Sequence, residues 1–256
     1  MSSLSARALP GLPEIARGSD LAALILAAAQ GAGEMLDDET VIVIAHKAVS
    51  KAEGSVVALT DVQAGAPARL LAERLGKPDA RAVQVVLDEC TEVLRTERGV
   101  IIGRTRHGFV CANAGVDASN AGAGDELVLL PRDPDASARS LRARLRQLTG
   151  TGAGPAVVIT DSFGRAWRHG QVDIAVGCAG LEALQDWRGR RDSVGRELQA
   201  TLIAVADAAA AMADLARSKD SREPVVVVRG LSAHITVADG PGAAAIVRPL
   251  DEDLFP

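Results

Sequence analysis

Aromatic residues are nearly missing from this chain: three Phe, two Trp and no Tyr make up 2% of 256 residues. Its core must therefore be built from Ala, Val, Leu and Ile. Basic charge is not in excess either. Twenty-eight Lys and Arg stand against 33 Asp and Glu, a formal net charge of −5. An acidic chain without stacking rings has neither the basic face nor the aromatic platform of a nucleic-acid binder, although a local basic pocket for an anionic small molecule remains open to it. Cysteine is scarce. Cys90, Cys111 and Cys178 stand apart with no CxxC spacing, which argues against a disulfide framework or a zinc site and for free thiols in a reducing compartment. Long apolar runs are missing too: no stretch approaches the ~18 residues of a membrane span. The run Leu21–Ala29 is short and flanked by Glu14, Arg17, Asp20 and Glu34, so it does not read as a signal peptide. A soluble, cytoplasmic protein with no membrane or nucleic-acid partner is expected. The hydrophobic content of 48% is ordinary for a folded chain.

What is present is a mixture of strand and helix signals. Leu9-Pro10-Gly11-Leu12 is turn chemistry. Ser19-Asp20 offers a cap for a helix over Leu21–Ala29. Val41–Ala45 reads as a buried strand. Leu70–Leu75 reads as helix, and Arg81–Thr91 as a continuation in that form. Val100–Gly103 and Gly108–Ala112 suggest a hairpin around Arg104-Thr105-Arg106-His107. Leu127–Leu130 and Ala156–Thr160 are further strands, the second with Asp161 at its carboxyl end. Ser137–Leu148 has Leu141, Leu145 and Leu148 at helical spacing, with Arg139, Arg142, Arg144 and Arg146 as a wet face. Val194–Arg217 is the longest helical pattern, and Val225–Val228 a β-branched strand opened by Pro224. Helices and strands mix without strict βαβ alternation, which predicts an α+β or mixed α/β chain.

Two acidic segments carry candidate chemistry: Asn113-Ala-Gly-Val-Asp117-Ala-Ser-Asn120 and Thr160-Asp161-Ser162-Phe163-Gly164-Arg165. Both follow strand-like runs. Carboxylates brought together repel unless a cation lies between them, and a hard divalent ion takes carboxylate, hydroxyl and amide oxygens. Read so, Asp117, Asp161 and Ser162 are metal ligands that bridge phosphates; read otherwise, the acids are turn and cap residues. Lys47 and Lys51 lie one helical turn apart, either as phosphate contacts or as a solvated face. Arg165, Arg168 and His169, with Arg104, Arg106 and His107, are either an anion clamp or a wet surface. His46 and His234 have no evident partners and read as structural or exposed. The glycines at 31–33 and 150–154 match neither GxxxxGK[ST] nor GxGxxG, so neither a P-loop nor a Rossmann site is expected, and no GxSxG elbow is present.

Beyond their chemistry, these residues form a pattern. His107-Gly-Phe-Val-Cys-Ala-Asn113-Ala-Gly-Val-Asp117-Ala-Ser-Asn120 resembles a signature of the CofE-type coenzyme F-420-0:L-glutamate ligases, and Thr160-Asp161-Ser162-Phe163-Gly164-Arg165-Ala166-Trp167-Arg168 resembles the same family's second motif. Leu9–Leu12, Lys47–Gly54, Val225–Gly230 and Arg248–Phe255 match in order, so the resemblance covers essentially the whole chain. It implies a CofE-like mixed α/β fold, distinct from P-loop, Rossmann and ATP-grasp proteins. It also implies a single ligase unit over 1–256, with lobes formed by 1–65 plus 205–256 and by 66–204. A flavin-reductase-like domain is fused to some members and is not expected here.

The implied reaction is GTP-dependent addition of L-glutamate, γ-linked and successive, to the coenzyme F-420 precursor through an acyl phosphate. The implied cofactors are Mg²⁺ or Mn²⁺, two ions, with K⁺ as an additional cation; the implied assembly is a homodimer. Carried over by position, Asp117 and Asp161 hold metal and Ser162 meets a second ion. Leu9, Pro10, Gly11, Leu12, His46, Lys51, Asn120 and Lys219 lie at the nucleotide. Arg104, His107, Arg165 and Arg168 are assigned to substrate; no general base is identified, with His107 and Glu53 as weak candidates. The chain departs from the pattern in four places. His46 replaces a small hydroxyl residue, Lys219 a Gln or Glu of the second metal, Val172 a Thr and Val194 an aromatic. Rival readings are a ligase of the same family for another acidic acceptor or amino acid, a metal-dependent GTP or phosphate hydrolase, and a non-catalytic nucleotide-binding scaffold.

Overall fold

The structure, a computed structural model, describes residues 3–118 and 125–254. In chain order it runs β1 (Ser5–Ala8), α1 (Leu21–Gly31), β2 (Val41–Ala45), α2 (His46–Glu53), β3 (Val56–Ala58), α3 (Ala66–Leu75), α4 (Ala80–Glu89), β4 (Cys90–Glu97), β5 (Val100–Thr105) and β6 (Val110–Ala112). It continues with β7 (Glu126–Val128), α5 (Pro134–Thr149), β8 (Ala156–Arg165), β9 (Arg168–Ala179), β10 (Leu184–Asp186), β11 (Leu202–Ala204), α6 (Val205–Ala216) and β12 (Val225–Arg229). This is the mixed α/β architecture the sequence predicts.

A five-stranded sheet in the order β1-β12-β2-β8-β9 organises the molecule. β2 and β8 are parallel; every other pairing in this sheet is antiparallel. An all-parallel Rossmann sheet is thereby excluded. The strands are apolar on both faces, as a doubly covered sheet requires. Ile42, Ile44, Val157, Ile159, Val225 and Val227 pack against α1 and α5, with Ile25, Leu141 and Leu145 in the same core. Val41, Val43, Val158, Val226 and Val228 face the other way, onto Ala206, Ala209 and Ala213 of α6. Small side chains on α6 let it lie close to the sheet, so a core nearly free of aromatics still closes. Two smaller sheets, β3-β7 and β4-β5-β6, stand with α3 and α4 over their own clusters around Ile101 and Leu127. The main sheet takes β8 and β9 from within 66–204.

Local signals explain the ends of several helices. Asp20 caps α1 by accepting from Ala23 N–H, and Asp133 caps α5 ahead of Pro134 by accepting from Ala136 N–H. Gly54 ends α2 and Gly150 ends α5 in the left-handed conformation.

Four expectations are corrected. The helix expected over Val194–Arg217 begins only at Val205. Upstream, Gly195 has φ +85° and the Asp192 carboxylate collects the N–H groups of Val194 and Arg196, which makes a turn. Arg81–Thr91 does not stay helical: at Cys90 the chain enters β4. The strand over Ala156–Thr160 runs on to Arg165, so Asp161 lies within it, paired with Ile174 of β9. Arg142 is not on a wet face. It is 3% exposed, bonds Asp239 Oδ1 at 2.7 Å and donates to the carbonyls of Thr236 (2.7 Å) and Val237 (3.2 Å).

One irregularity shapes the site. Ile159 faces Gly177 and Thr160 faces Ala175, so Val176 is an extra residue, a bulge in β9. Beyond it, β9 presents the opposite set of side chains to each face. Ala175 N–H is taken by Asp207 Oδ1 of α6 at 2.9 Å, and burial raises the pKa of that carboxyl.

Two predictions follow from these buried groups. Arg142→Ala orphans two carbonyls and a partnered carboxylate, and should lower unfolding free energy by about 3 kcal/mol in urea titration. Asp207→Asn keeps an acceptor for Ala175 N–H but removes a desolvated charge. For an acid whose folded pKa is raised, stability is greatest below the unfolded pKa and falls as pH rises through the folded one. The Asn variant should therefore gain in Tm over the parent at pH 7.5, with the gain shrinking toward pH 4, followed by calorimetry across that range.

Candidate active site at the carboxyl ends of the parallel pair

The parallel strands β2 and β8 point the same way, and their pairing stops at Ala45 and Thr160, at the carboxyl-end edge where open α/β sheets bind their ligands. Ala45 leads directly into α2 there, and Ala45 N–H is held by Pro224 O at the start of β12. Leu9 N–H bonds Val225 O at 2.9 Å, which brings the Leu9–Leu12 turn to the same edge. Leu9 itself is fully buried in the core. Its side chain is thus an anchor, while Pro10 and Gly11 (φ +81°) are exposed.

α2 gathers distant segments. Lys47 and Lys51 share one face by their four-residue spacing. Lys47 Nζ lies 2.6 Å from Asp117 Oδ2, and Lys51 Nζ 2.5 Å from Glu14 Oε1. Asp117 is positioned from behind by a two-bond bridge to Val128, the last residue of β7, which pairs there with Val56 of β3. His46 is 1% exposed. Its Nδ1 is 3.4 Å from Ser50 Oγ, and its Nε2 approaches Asp161 Oδ1 at 3.3 Å without a hydrogen bond. A ring so enclosed supports Asp161 and does not reach solvent.

Asp117, Asp161 and Ser162 line one cleft of about 370 Å³, together with Asn113, Lys77 and Gln171. The sheet divides the neighbours Asp161 and Ser162. Asp161 projects to the face of His46 and Ile174, while Ser162 Oγ turns to the α6 face and donates to Asp173 Oδ1 at 2.6 Å. Asp173 is 2% exposed and accepts also from Thr160 Oγ1 (3.0 Å) and from Arg217. Lys219 Nζ reaches Ser162 Oγ at 2.6 Å, Asp214 Oδ1 at 3.2 Å and Asp173 Oδ1 at 3.5 Å. Burial alone would raise the Asp173 carboxyl; the Ser162 hydroxyl and the charges of Arg217 and Lys219 hold it below the ordinary aspartate value.

The other expected residues are placed elsewhere. Arg104 is tied to Glu92 and Asp253, both at 3.3 Å. His107 Nε2 lies at the carbonyls of Pro131 (3.0 Å) and Arg132 (3.1 Å). Arg165 and Arg168 stand at the exposed tip of the β8–β9 hairpin, beside Trp167. None of the four lines the cleft. Asn120 lies outside the described residues. Asp173 and Gln171 have no assignment from the sequence, where β9 is not among the expected strands; the alternation Gln171, Asp173, Ala175 opposite β8 is the available signal. The resemblance implies that the loop Arg217–Pro224 lies near the nucleotide, and the structure ties Arg217 to Asp173.

The donors suit a hard cation. Asp117 and Asp161 offer carboxylate oxygens to a common cleft, and among the described residues no cluster of three or more His, Cys, Asp or Glu side chains makes a closed cage. Mg²⁺ and Mn²⁺ are held in this way, by one or two carboxylates with water and phosphate oxygens completing the shell. The thiols are unsuited to ligation: burial pushes Cys111 and Cys178 up to about 12.

Comparison with known proteins is unambiguous. A family model for F420-0:Gamma-glutamyl ligase matches residues 11–230. The coenzyme F420:L-glutamate ligase of Methanopyrus kandleri is 45% identical over 240 residues, covering 93% of this chain and 92% of its own. The proteins of that name from Methanothermobacter thermautotrophicus and Archaeoglobus fulgidus are 43% and 42% identical over 246 residues, covering 96% of this chain in each case. With a family match across most of its length and relatives aligned almost end to end, the chain belongs to the F420-0:gamma-glutamyl ligase family and is a ligase.

Proposed function

We propose that this protein couples GTP cleavage to the attachment of L-glutamate, in successive γ-linked additions, to the coenzyme F-420 precursor. The observation that carries this reading is the pairing of Asp117 and Asp161 along one cleft, at the sheet edge that also holds Lys47, Lys51 and the Leu9–Leu12 turn, in a chain similar end to end to ligases of that name.

The chemistry asks for what this edge contains. A precursor carboxylate oxygen attacks the γ-phosphorus of GTP; the bond to the β–γ bridging oxygen breaks and GDP leaves. The α-amine of glutamate then attacks the acyl carbon, the carbon–oxygen bond to phosphate breaks, and the nitrogen gives up a proton as the amide forms. Both partners of the first step are anions, so positive charge is the main requirement. Mg²⁺ or Mn²⁺ held by Asp117 and Asp161 would supply it by neutralising phosphate oxygens. Lys51, which in this structure rests against Glu14 one helical turn beyond Lys47, serves as a mobile phosphate contact. Buried His46 keeps Asp161 in place. Pro10 and Gly11 offer backbone to the nucleotide. No side chain is assigned the amine proton. The homodimer is part of the same proposal, tested by light scattering.

The deciding experiment is a mass-resolved end-point assay with the glutamate-free precursor, L-glutamate, GTP and Mn²⁺ or Mg²⁺. A ladder of glutamate additions that requires GTP supports the reading. GTP turnover without addition points to simple hydrolysis or to a different acceptor. Two variants sharpen it. Asp161→Asn should lower glutamate-dependent GDP release by about 10²-fold or more, with thermal unfolding near that of the parent. Lys51→Ala should raise KM for GTP by roughly 10-fold and leave kcat within a small factor, the pattern of lost ground-state binding.

A further inference from the structure

On the α6 face of β8, three oxygens converge on one ammonium. Ser162 Oγ, Asp214 Oδ1 and Asp173 Oδ1 lie 2.6, 3.2 and 3.5 Å from Lys219 Nζ. Ser162 also lines the cleft that holds Asp117 and Asp161, so this cluster adjoins the first cation position. The Lys219 side chain is 67% exposed, whereas Asp173 is 2% exposed. The ammonium thus comes in from solvent onto a preformed oxygen set and contributes little to the core.

The charge balance matters. Asp173 and Asp214 supply two negative charges; Arg217, which bonds Asp173 and Thr160, and Lys219 supply two positive ones. Arg217 is 10% exposed and donates to Pro224 O at 2.8 Å, so it belongs to the fold. Lys219 has no backbone partner of that kind. Without it, a hydroxyl and two carboxylate oxygens, one carboxylate deeply buried, would face a common point with a net negative charge. That is oxygen chemistry for a hard cation.

We infer that the Lys219 ammonium is a built-in substitute for a second divalent ion, so that this protein binds one Mg²⁺ or Mn²⁺ per chain and closes the Ser162–Asp173–Asp214 position with its own side chain. The inference rests on the proposed function only for the location of the first ion. An ammonium on a four-carbon stem is a single charge that can neither accept a lone pair nor polarise a bound water as a metal does. Its task is to offset the negative charge of the two carboxylates beside Ser162, the part a second metal ion would otherwise play.

The test counts ions. Mn²⁺ alone is titrated into the full-length protein, with free Mn²⁺ read by electron paramagnetic resonance, for the parent, Lys219→Gln and Lys219→Arg. The expected stoichiometry is one for the parent and for Lys219→Arg, and two for Lys219→Gln, with thermal unfolding alike in all three because the side chain is exposed. Asp214→Asn added to Lys219→Gln should return the count to one. Two ions on the parent overturn the inference, as does a count that Lys219→Gln leaves unchanged. If the parent binds none and Lys219→Gln binds one, the substitution by Lys219 stands and the assignment of an ion to Asp117 and Asp161 falls. None on either chain removes both.

Discussion

The parallel pairing of β2 with β8 is the constraint on which the rest depends. It ends β2 at Ala45 while β8 continues to Arg165, and α2, the Leu9–Leu12 turn and the loop before β12 gather at that edge. Within the described part of the chain, the residues proposed to meet nucleotide or cation lie on β8 or on one of those elements, except Asp117, which its bridge to Val128 brings in from the segment after β6. The antiparallel neighbours β12 and β9 complete the sheet on either side. They also let the core be apolar on both faces, so side chains as small as Val and Ala suffice.

Charge in the site is distributed by the strand period. Asp161 and Ser162 are adjacent in sequence and face opposite sides of β8. One side has buried His46 behind the acid; the other has Asp173 with Arg217 and Lys219. A single short segment thereby serves two electrostatic compartments in a chain that is acidic as a whole. Cations are supplied one by one: Lys47 against Asp117, Lys51 against Glu14, Lys219 against Ser162.

Much of the fold was legible in the sequence. Val41–Ala45 and Val225–Val228 announce buried strands by their β-branched runs, and Ser19-Asp20 marks a helix start. The family motifs located Asp117 and Asp161, which line one cleft. What escaped notice has a common cause. β9 alternates Gln, Val, Asp, Ile and then turns continuously apolar past the bulge at Val176, so neither period holds over its length. Its polar half therefore carries no strand signal in the sequence, and Asp173 carries no site signal with it. The Ala-rich composition near Ala204 extended the expected α6 backwards through Gly195, where backbone conformation, not composition, decides. Arg142 was grouped with its helix neighbours because a charged residue on a helix is usually wet; only the tertiary position of Thr236–Asp239 gives it acceptors.

The bulge at Val176 has a wider consequence. One added residue inverts the facing of everything beyond it, so the same strand is core wall at Cys178 and functional wall at Asp173, with the unpaired Ala175 N–H secured by α6 through Asp207. Core and site are thus separated by a phase shift in a continuous ribbon. Substitutions on the far side of that shift change the charged groups around Ser162 and Asp173 while the hydrophobic registry on the near side stays as it is. The unit of change available to this architecture is therefore the hairpin arm, free to vary as a block beyond a hinge one residue long.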